Sequence, residues 1–343
     1  MLSLAGLLMK FSRVPLLSQF LLLVMLLTGL LAYAGEKNVD IREWLVPWED
    51  TRPRDPYIDP KGRVWFCGQA GAYIAYFDPK SEKFRKYDLE EGSAPHNLIV
   101  DKKGYVWFAG NVKGYIGRLS PKSGKIKKYS MPDARVRDPH TLAFDSKGDI
   151  WFTAQFSNAI GKLLTASGEI KIFEIPTENS RPYGIAVDSK DRPWVALFGT
   201  NKLATVNPET YRLREIELPR KEIRPRRLAI TSYDKIWFVD YATGYLGRYS
   251  PGSKKYTEYR IPGGENSRPY GMAVDDEDQL WFVETGFNPN RLISFNPWQK
   301  VFDTVTDIPS GGGTVRHMYF AAENREIWFG TDTNFIGRAT LYE

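Results

Sequence analysis

The chain has 343 residues, 42% of them hydrophobic and 14% aromatic, enough to fill a large closed core. Its 47 basic and 41 acidic residues give a formal charge of +6, with Lys and Arg scattered among Asp and Glu rather than gathered in a block. This patterning argues against a nucleic-acid partner, and one cysteine, Cys67, excludes an internal disulfide.

At the N-terminus, Lys10 and Arg13 precede an apolar run from Leu16 to Leu31, and Ala32-Tyr33-Ala34 has the small-x-small pattern of a signal peptidase site. Residues 1–34 read as a cleaved secretory signal, leaving 35–343 as the mature chain. The alternative is an uncleaved anchor, for which the run is short against the ~20 residues of a membrane span. The expected location is periplasmic or secreted, with no stable membrane insertion after cleavage. The mature protein is expected to act as a monomer, without cytosolic nucleotides. Cys67 lies beside an aromatic mark within a strand and reads as a small buried apolar side chain.

Seven such marks follow: Trp65-Phe66, Trp107-Phe108, Trp151-Phe152, Trp194-Val195, Trp237-Phe238, Trp281-Phe282 and Trp328-Phe329, at spacings of 42, 44, 43, 43, 44 and 47 residues. A period of about 40–50 residues made of short strands is that of a β-propeller with one four-stranded blade per repeat. The fold class is therefore all-β, a seven-bladed propeller. Turns such as Asp101 to Gly104, Asp145 to Gly148 and Asp188 to Asp191 precede the Trp marks. They are read as tight hairpin turns opened by Asp rather than as calcium loops. The seventh repeat ends at the C-terminus one strand short, and Glu43 to Pro47 resembles the outer strands ending at Pro176, Pro219 and Pro262. The N-terminal strand is thus expected to close the last blade, so that no sheet edge is left open.

In a propeller the start of each inner strand and the end of the second strand share one mouth of the channel. The residues opening the inner strands are read as Tyr57, His96, His140, Tyr183, Arg226, Tyr270 and His317, a register holding all three histidines. This is either a polar, titratable ring around a ligand pocket or an inherited set of loop-tying hydrogen bonds. Across the hairpins, His317 is expected to face Asp332, Tyr270 to lie near Glu284, and Arg226 near Asp240. Blades two and three offer His96, His140, Asn111 and Gln155 instead. Three carboxylates in one sector would suit a hard cation, Mg²⁺ or alternatively Ca²⁺; ordinary ion pairs such as Arg226 with Asp240 are the other possibility.

The repeats resemble those of the streptogramin B lyase (virginiamycin B lyase) family across Glu43 to Leu341. The resemblance is carried by Arg181-Pro182-Tyr183-Gly184-Ile185-Ala186-Val187-Asp188, by Asn158-Ala159-Ile160-Gly161-Lys162 and by Phe335-Ile336-Gly337-Arg338. It implies Mg²⁺-assisted elimination that opens a cyclic depsipeptide at its ester. Such chemistry requires a base, a metal that polarises the carbonyl, and an acid near the leaving carboxylate. The family's Pro-His step opening blade six stands here as Pro269-Tyr270, and its Glu-Pro-His step opening blade seven as Val315-Arg316-His317. Its glutamate at the end of the seventh second strand is matched in kind by Asp332. By this resemblance His317 serves as acid/base, Tyr270 replaces the missing histidine, Arg316 stabilises a developing carboxylate, and Asp332 and Glu284 hold the metal. The ligand is then a small molecule, a cyclic peptide or ester. A metal-dependent lactonase-type hydrolase and a non-catalytic ligand- or protein-binding propeller are the competing readings, since this fold hosts many functions.

Overall fold

A computed structural model describes residues 39–342; the expected signal segment, 1–34, lies outside the described residues. Among the described residues 28 strands build seven four-stranded antiparallel sheets. Blade 1 runs Pro53–Ile58, Val64–Gly68, Tyr73–Asp78 and Lys83–Asp88 in sequence order. The inner strands of blades 2 to 6 begin at Pro95, Pro139, Pro182, Pro225 and Pro269, and each inner strand packs on those of its neighbours. Burial falls outward. The second strand Val64–Gly68 is buried throughout, while the outer strand Lys83–Asp88 alternates between half-buried and exposed.

The ring closes as the sequence predicts. Val39–Leu45 pairs antiparallel with Phe335–Leu341 and becomes the outer strand of the seventh blade. Trp44 then stacks on Trp328 with ring centroids 5.7 Å apart. Because this blade is made from both ends of the described chain, closure couples the termini to the whole ring. No helix among the described residues is long and apolar enough to cross a membrane.

The Trp marks are the mortar between blades. Trp65 packs with Leu98, Val100 and Phe108 of the next blade, and Trp281 with Val315 and Ile327. Cys67 is fully buried in the same cluster as Trp65. The turn aspartates explain why the Trp positions recur. Asp188 accepts hydrogen bonds from the backbone N–H groups of Lys190 and Arg192, and its second oxygen accepts Trp194 Nε1–H at 2.8 Å. Asp59, Asp101 and Asp275 hold Trp65, Trp107 and Trp281 alike, at 2.8 to 2.9 Å. Their oxygens serve the turn and the indole, which is the hairpin reading. Neighbouring turns are also tied to one another: Ser146, Ser189 and Ser232 donate to Asp191, Asp234 and Asp278 of the following blade.

Asp188→Ala would strip a buried indole N–H and two turn amides of their acceptor. An unsatisfied buried donor costs about 1–3 kcal/mol. Urea unfolding is expected to show a loss of about 2 kcal/mol, and an unchanged midpoint would refute the clamp.

Candidate functional site at the channel mouth

The inner strands carry a β-bulge near their start in blades 1 to 6. In blade 3, Pro139 faces Ala154 and Leu142 faces Phe152, so His140 and Thr141 together oppose a single residue. Bulges of this kind re-aim side chains, and here they place two successive positions on the channel. The register defines a first ring one residue after the proline: Arg54, His96, His140, Tyr183, Arg226 and Tyr270, with Arg316 counted back from the Met318–Phe329 pair. One residue deeper lie Asp55, Asn97, Thr141, Arg227 and His317.

Two positions are thereby corrected. Tyr57 pairs with Trp65 in the body of blade 1 and packs on Tyr319 with centroids 4.2 Å apart, and Arg54 holds its expected place. His317 belongs to the deeper layer, and Arg316 takes its place in the ring. The carboxylate expectations change for a related reason. Asp240 and Glu284 lie directly opposite Pro225 and Pro269. Strand alternation turns them to the face opposite from Arg226 and Tyr270. Asp240 instead accepts from the Arg224 amide at 2.9 Å and from Arg220 at 3.2 Å. Glu284 accepts from the Gly263 amide at 2.7 Å and from Arg291 Nε at 2.8 Å. Both are fully buried. Asp332 does reach the mouth, where it pairs with Arg316 (Nε to Oδ1 3.1 Å) rather than with His317.

The expected metal residues are therefore not brought together, and no group of three or more His, Cys, Asp or Glu among the described residues is placed to hold a metal ion. As arranged, Asp332 and Glu284 do not fit a divalent cation. Deeper in the channel, where a lactonase-type metal would sit, the guanidinium of Arg227 lies 3.3 Å from Asp55.

Arg227 organises the interior. It donates to Thr141 Oγ1 at 3.0 Å, to the Arg316 carbonyl at 3.1 Å and to Asp55, linking blades 3, 5, 7 and 1. Asp55 also accepts from Arg54 at 3.0 Å and from Asn97 at 2.9 Å. Burial opposes its ionisation most strongly, yet Arg54 and Arg227 together hold its carboxyl well below the usual range.

His96 and His140 are buried and His317 is half-buried; desolvation pushes each below its ordinary 6.5, His317 to about 4. Arg54 and Arg227 reinforce the shift in all three. His96 stacks on His140 with centroids 3.6 Å apart, and His140 on Tyr183 at 4.2 Å.

Tyr183 and Tyr270 share a short hydroxyl–hydroxyl hydrogen bond across blades 4 and 6. Burial alone would raise Tyr183, but Arg226, Arg227 and Arg54 outweigh it and bring the hydroxyl down to about 8. Tyr270 moves the other way, raised by burial and by Tyr183. Arg226 lies 3.6 Å from the Tyr270 ring centroid, 4.2 Å from Tyr241 and 4.7 Å from Phe198. Beside this cage lies a cavity of about 350 Å³ whose lining includes Arg181, Phe198, Arg224 and Tyr241.

Sequence reading missed Arg54, Asp55 and Arg227. For Arg54 a signal was present. Arg52-Pro53-Arg54 parallels Arg181-Pro182-Tyr183, Arg224-Pro225-Arg226 and Arg268-Pro269-Tyr270, whereas Pro56-Tyr57 only imitates that step. No comparable signal marks Arg227, whose role depends on what crosses the channel.

The histidines set an acid limit. Their folded values lie below 6.5, so the unfolded chain takes up protons that the folded one refuses, and stability falls as pH drops from about 6.5 toward 4. Denaturant unfolding is expected to show that decline, and His317→Asn is expected to flatten it. An equally steep profile in the variant would place the acid sensitivity elsewhere.

No protein-family model and no curated protein matches this sequence, but solved structures do. A streptogramin B lyase superposes with a TM-score of 0.80 at 25% identity, over 89% of this chain and 98% of its own. A catalytically inactive His-to-Ala variant of virginiamycin B lyase from Staphylococcus aureus with quinupristin gives 0.80 at 27% identity, over 89% and 100%. An extracellular domain of a one-component system from B. thetaiotaomicron gives 0.68 at 14% identity, over 88% and 40%, a likeness of fold alone. The resemblance read from the repeats thus holds for the propeller as a whole, and this chain has the seven-bladed fold of the streptogramin B lyases.

Proposed function

We propose that this chain is an exported, lyase-like propeller that takes a small molecule with an ester or peptide linkage at one mouth of its channel. The observation that carries this reading is the Tyr183–Tyr270 hydrogen bond beside Arg226, with Tyr183 brought down to about 8. A hydroxyl near that value is a workable proton acceptor at mildly alkaline pH, and general bases work best near the operating pH. In an elimination, Tyr183 as tyrosinate takes the acidic α-proton of the substrate. The C–H electrons form the new double bond as the ester C–O bond breaks, and the pair on oxygen leaves as a carboxylate. Arg226 and Arg316 are the cations at hand for that carboxylate. His317, half-buried and neutral, acts here as a positioning residue rather than as the acid/base.

A second reading, a non-catalytic binding propeller, is favoured by burial, since Tyr183 is 5% and Tyr270 1% exposed.

The deciding experiment is mass spectrometry of quinupristin incubated with the chain, with and without Mg²⁺. Ring opening at unchanged mass is expected, rising with pH through about 8. Tyr183→Phe, which removes the base, is expected to lower kcat/KM by about 100-fold, the scale of general acid–base catalysis. Gain of one water would mean a hydrolase. An intact depsipeptide under both conditions would leave the binding reading.

A further inference from the structure

The cavity of about 350 Å³ opens between blades 4 and 5, away from the positions in blades 6 and 7 where the lyase resemblance puts chemistry. Its lining is Asn179, Arg181, Phe198, Gly199, Arg224 and Tyr241, which includes two arginines and no carboxylate. Arg226 stands behind it, against the Phe198 and Tyr241 rings.

Among the described residues none of these three arginines has an acidic partner. Arg224 is held by two backbone carbonyls, those of Lys221 and Ile223, both at 2.7 Å. Arg181 lies 6.0 Å from the centroid of Phe156, a ring that is 75% exposed. Arg226 is caged by aromatic faces, and its Nε is buried without a hydrogen-bond partner. Two inner-ring arginines contrast with these. Arg54 is matched by Asp55, and Arg316 by Asp332. Three uncompensated guanidiniums thus stand in or against one cavity.

Three guanidiniums without counter-charge around a concave site are a strong attraction for an anion, and Arg presents paired N–H donors that match a carboxylate. Phe198 and Tyr241 supply flat apolar walls, so a bare inorganic ion would leave most of the lining unused. We infer that this cavity is a binding site for an organic anion, an aromatic carboxylate in its simplest form, with its ring laid against the Phe198–Tyr241 pair, which meets edge to face at 5.7 Å, and the carboxylate on Arg181 and Arg224. Arg226 adds long-range attraction from below. This rests on the reading that the mouth is a ligand site, but not on any chemistry by Tyr183 and Tyr270.

The test is calorimetric titration of benzoate into the purified chain, with benzamide as its uncharged counterpart. Saturable one-to-one binding of benzoate is expected, with benzamide at least tenfold weaker and the benzoate affinity falling as salt is added. Arg181→Gln and Arg224→Gln are each expected to weaken benzoate by about tenfold, the scale of one lost charged hydrogen bond, without change in melting temperature. Tyr270→Phe retains the ring against Arg226 and is expected to leave benzoate affinity within about threefold, well short of a lost charged hydrogen bond. Absence of saturable binding, equal affinity for benzamide, or indifference to both arginine substitutions would overturn the inference. If benzoate behaves as expected while Tyr183→Phe leaves turnover intact, the elimination mechanism fails and this site stands.

Discussion

The buried contact between Arg227 and Asp55 is the constraint on which the channel depends. Blades 5 and 1 are not neighbours in the ring, so only a group reaching across the axis can join them. Arg227 does this while also engaging Thr141 of blade 3 and the Arg316 carbonyl of blade 7. A buried ion pair is justified only when its remaining hydrogen-bonding capacity is met. Asp55 meets that condition with Arg54 and Asn97, and it adopts a left-handed backbone (φ 51°) that Asp tolerates better than most residues. The interior of the ring is consequently a packed polar plug, and ligand chemistry is displaced outward to the mouth.

That displacement sets the electrostatics of the mouth. With Arg54 and Arg227 spent on Asp55, the same two cations still act on the histidines and on Tyr183 at short range. They reinforce the burial that keeps the imidazoles neutral, and with Arg226 they outweigh burial to favour the tyrosinate. A histidine that cannot hold a proton is a poor general acid, so the histidines visible in the sequence are uncharged rings, two of them, His96 and His140, in contact with each other. Positive charge at the mouth is left to arginine, which burial does not neutralise.

Period and closure were legible because they rest on repetition. Seven indoles at a near-constant interval require seven equivalent packing sites, and a seventh repeat lacking one strand requires that strand from the other end. The site was less legible because its register depends on single residues. Pro56-Tyr57 imitates the proline step that Pro53-Arg54 actually makes, and blade 7 has Val315 where the others have proline, so both ends of the ring were misaligned. The carboxylates were misplaced by strand parity. Asp240 and Glu284 occupy the last position of their strands, one residue before the position that faces the channel, which is filled by Tyr241, Thr285 and Asp332. A one-residue offset moves a side chain to the opposite face of a strand, and pairing of Glu284 with Arg291 and of Asp240 with Arg220 follows from that offset.

Tyr270 connects the departure from the family pattern to the cavity in blades 4 and 5. Where the family carries a histidine, this chain has a larger ring with a hydroxyl at its tip, and both parts are used: the face supports Arg226 and the hydroxyl bonds Tyr183. A histidine could supply neither the extended face nor the reach to Tyr183, so the substitution and the cage form a single unit. Aromatic faces stabilise a guanidinium without neutralising it, whereas a carboxylate in the same place would cancel the charge toward any incoming anion. The tyrosine at this position therefore leaves Arg226 a full cation at the mouth, in keeping with the anionic ligand proposed for the neighbouring cavity.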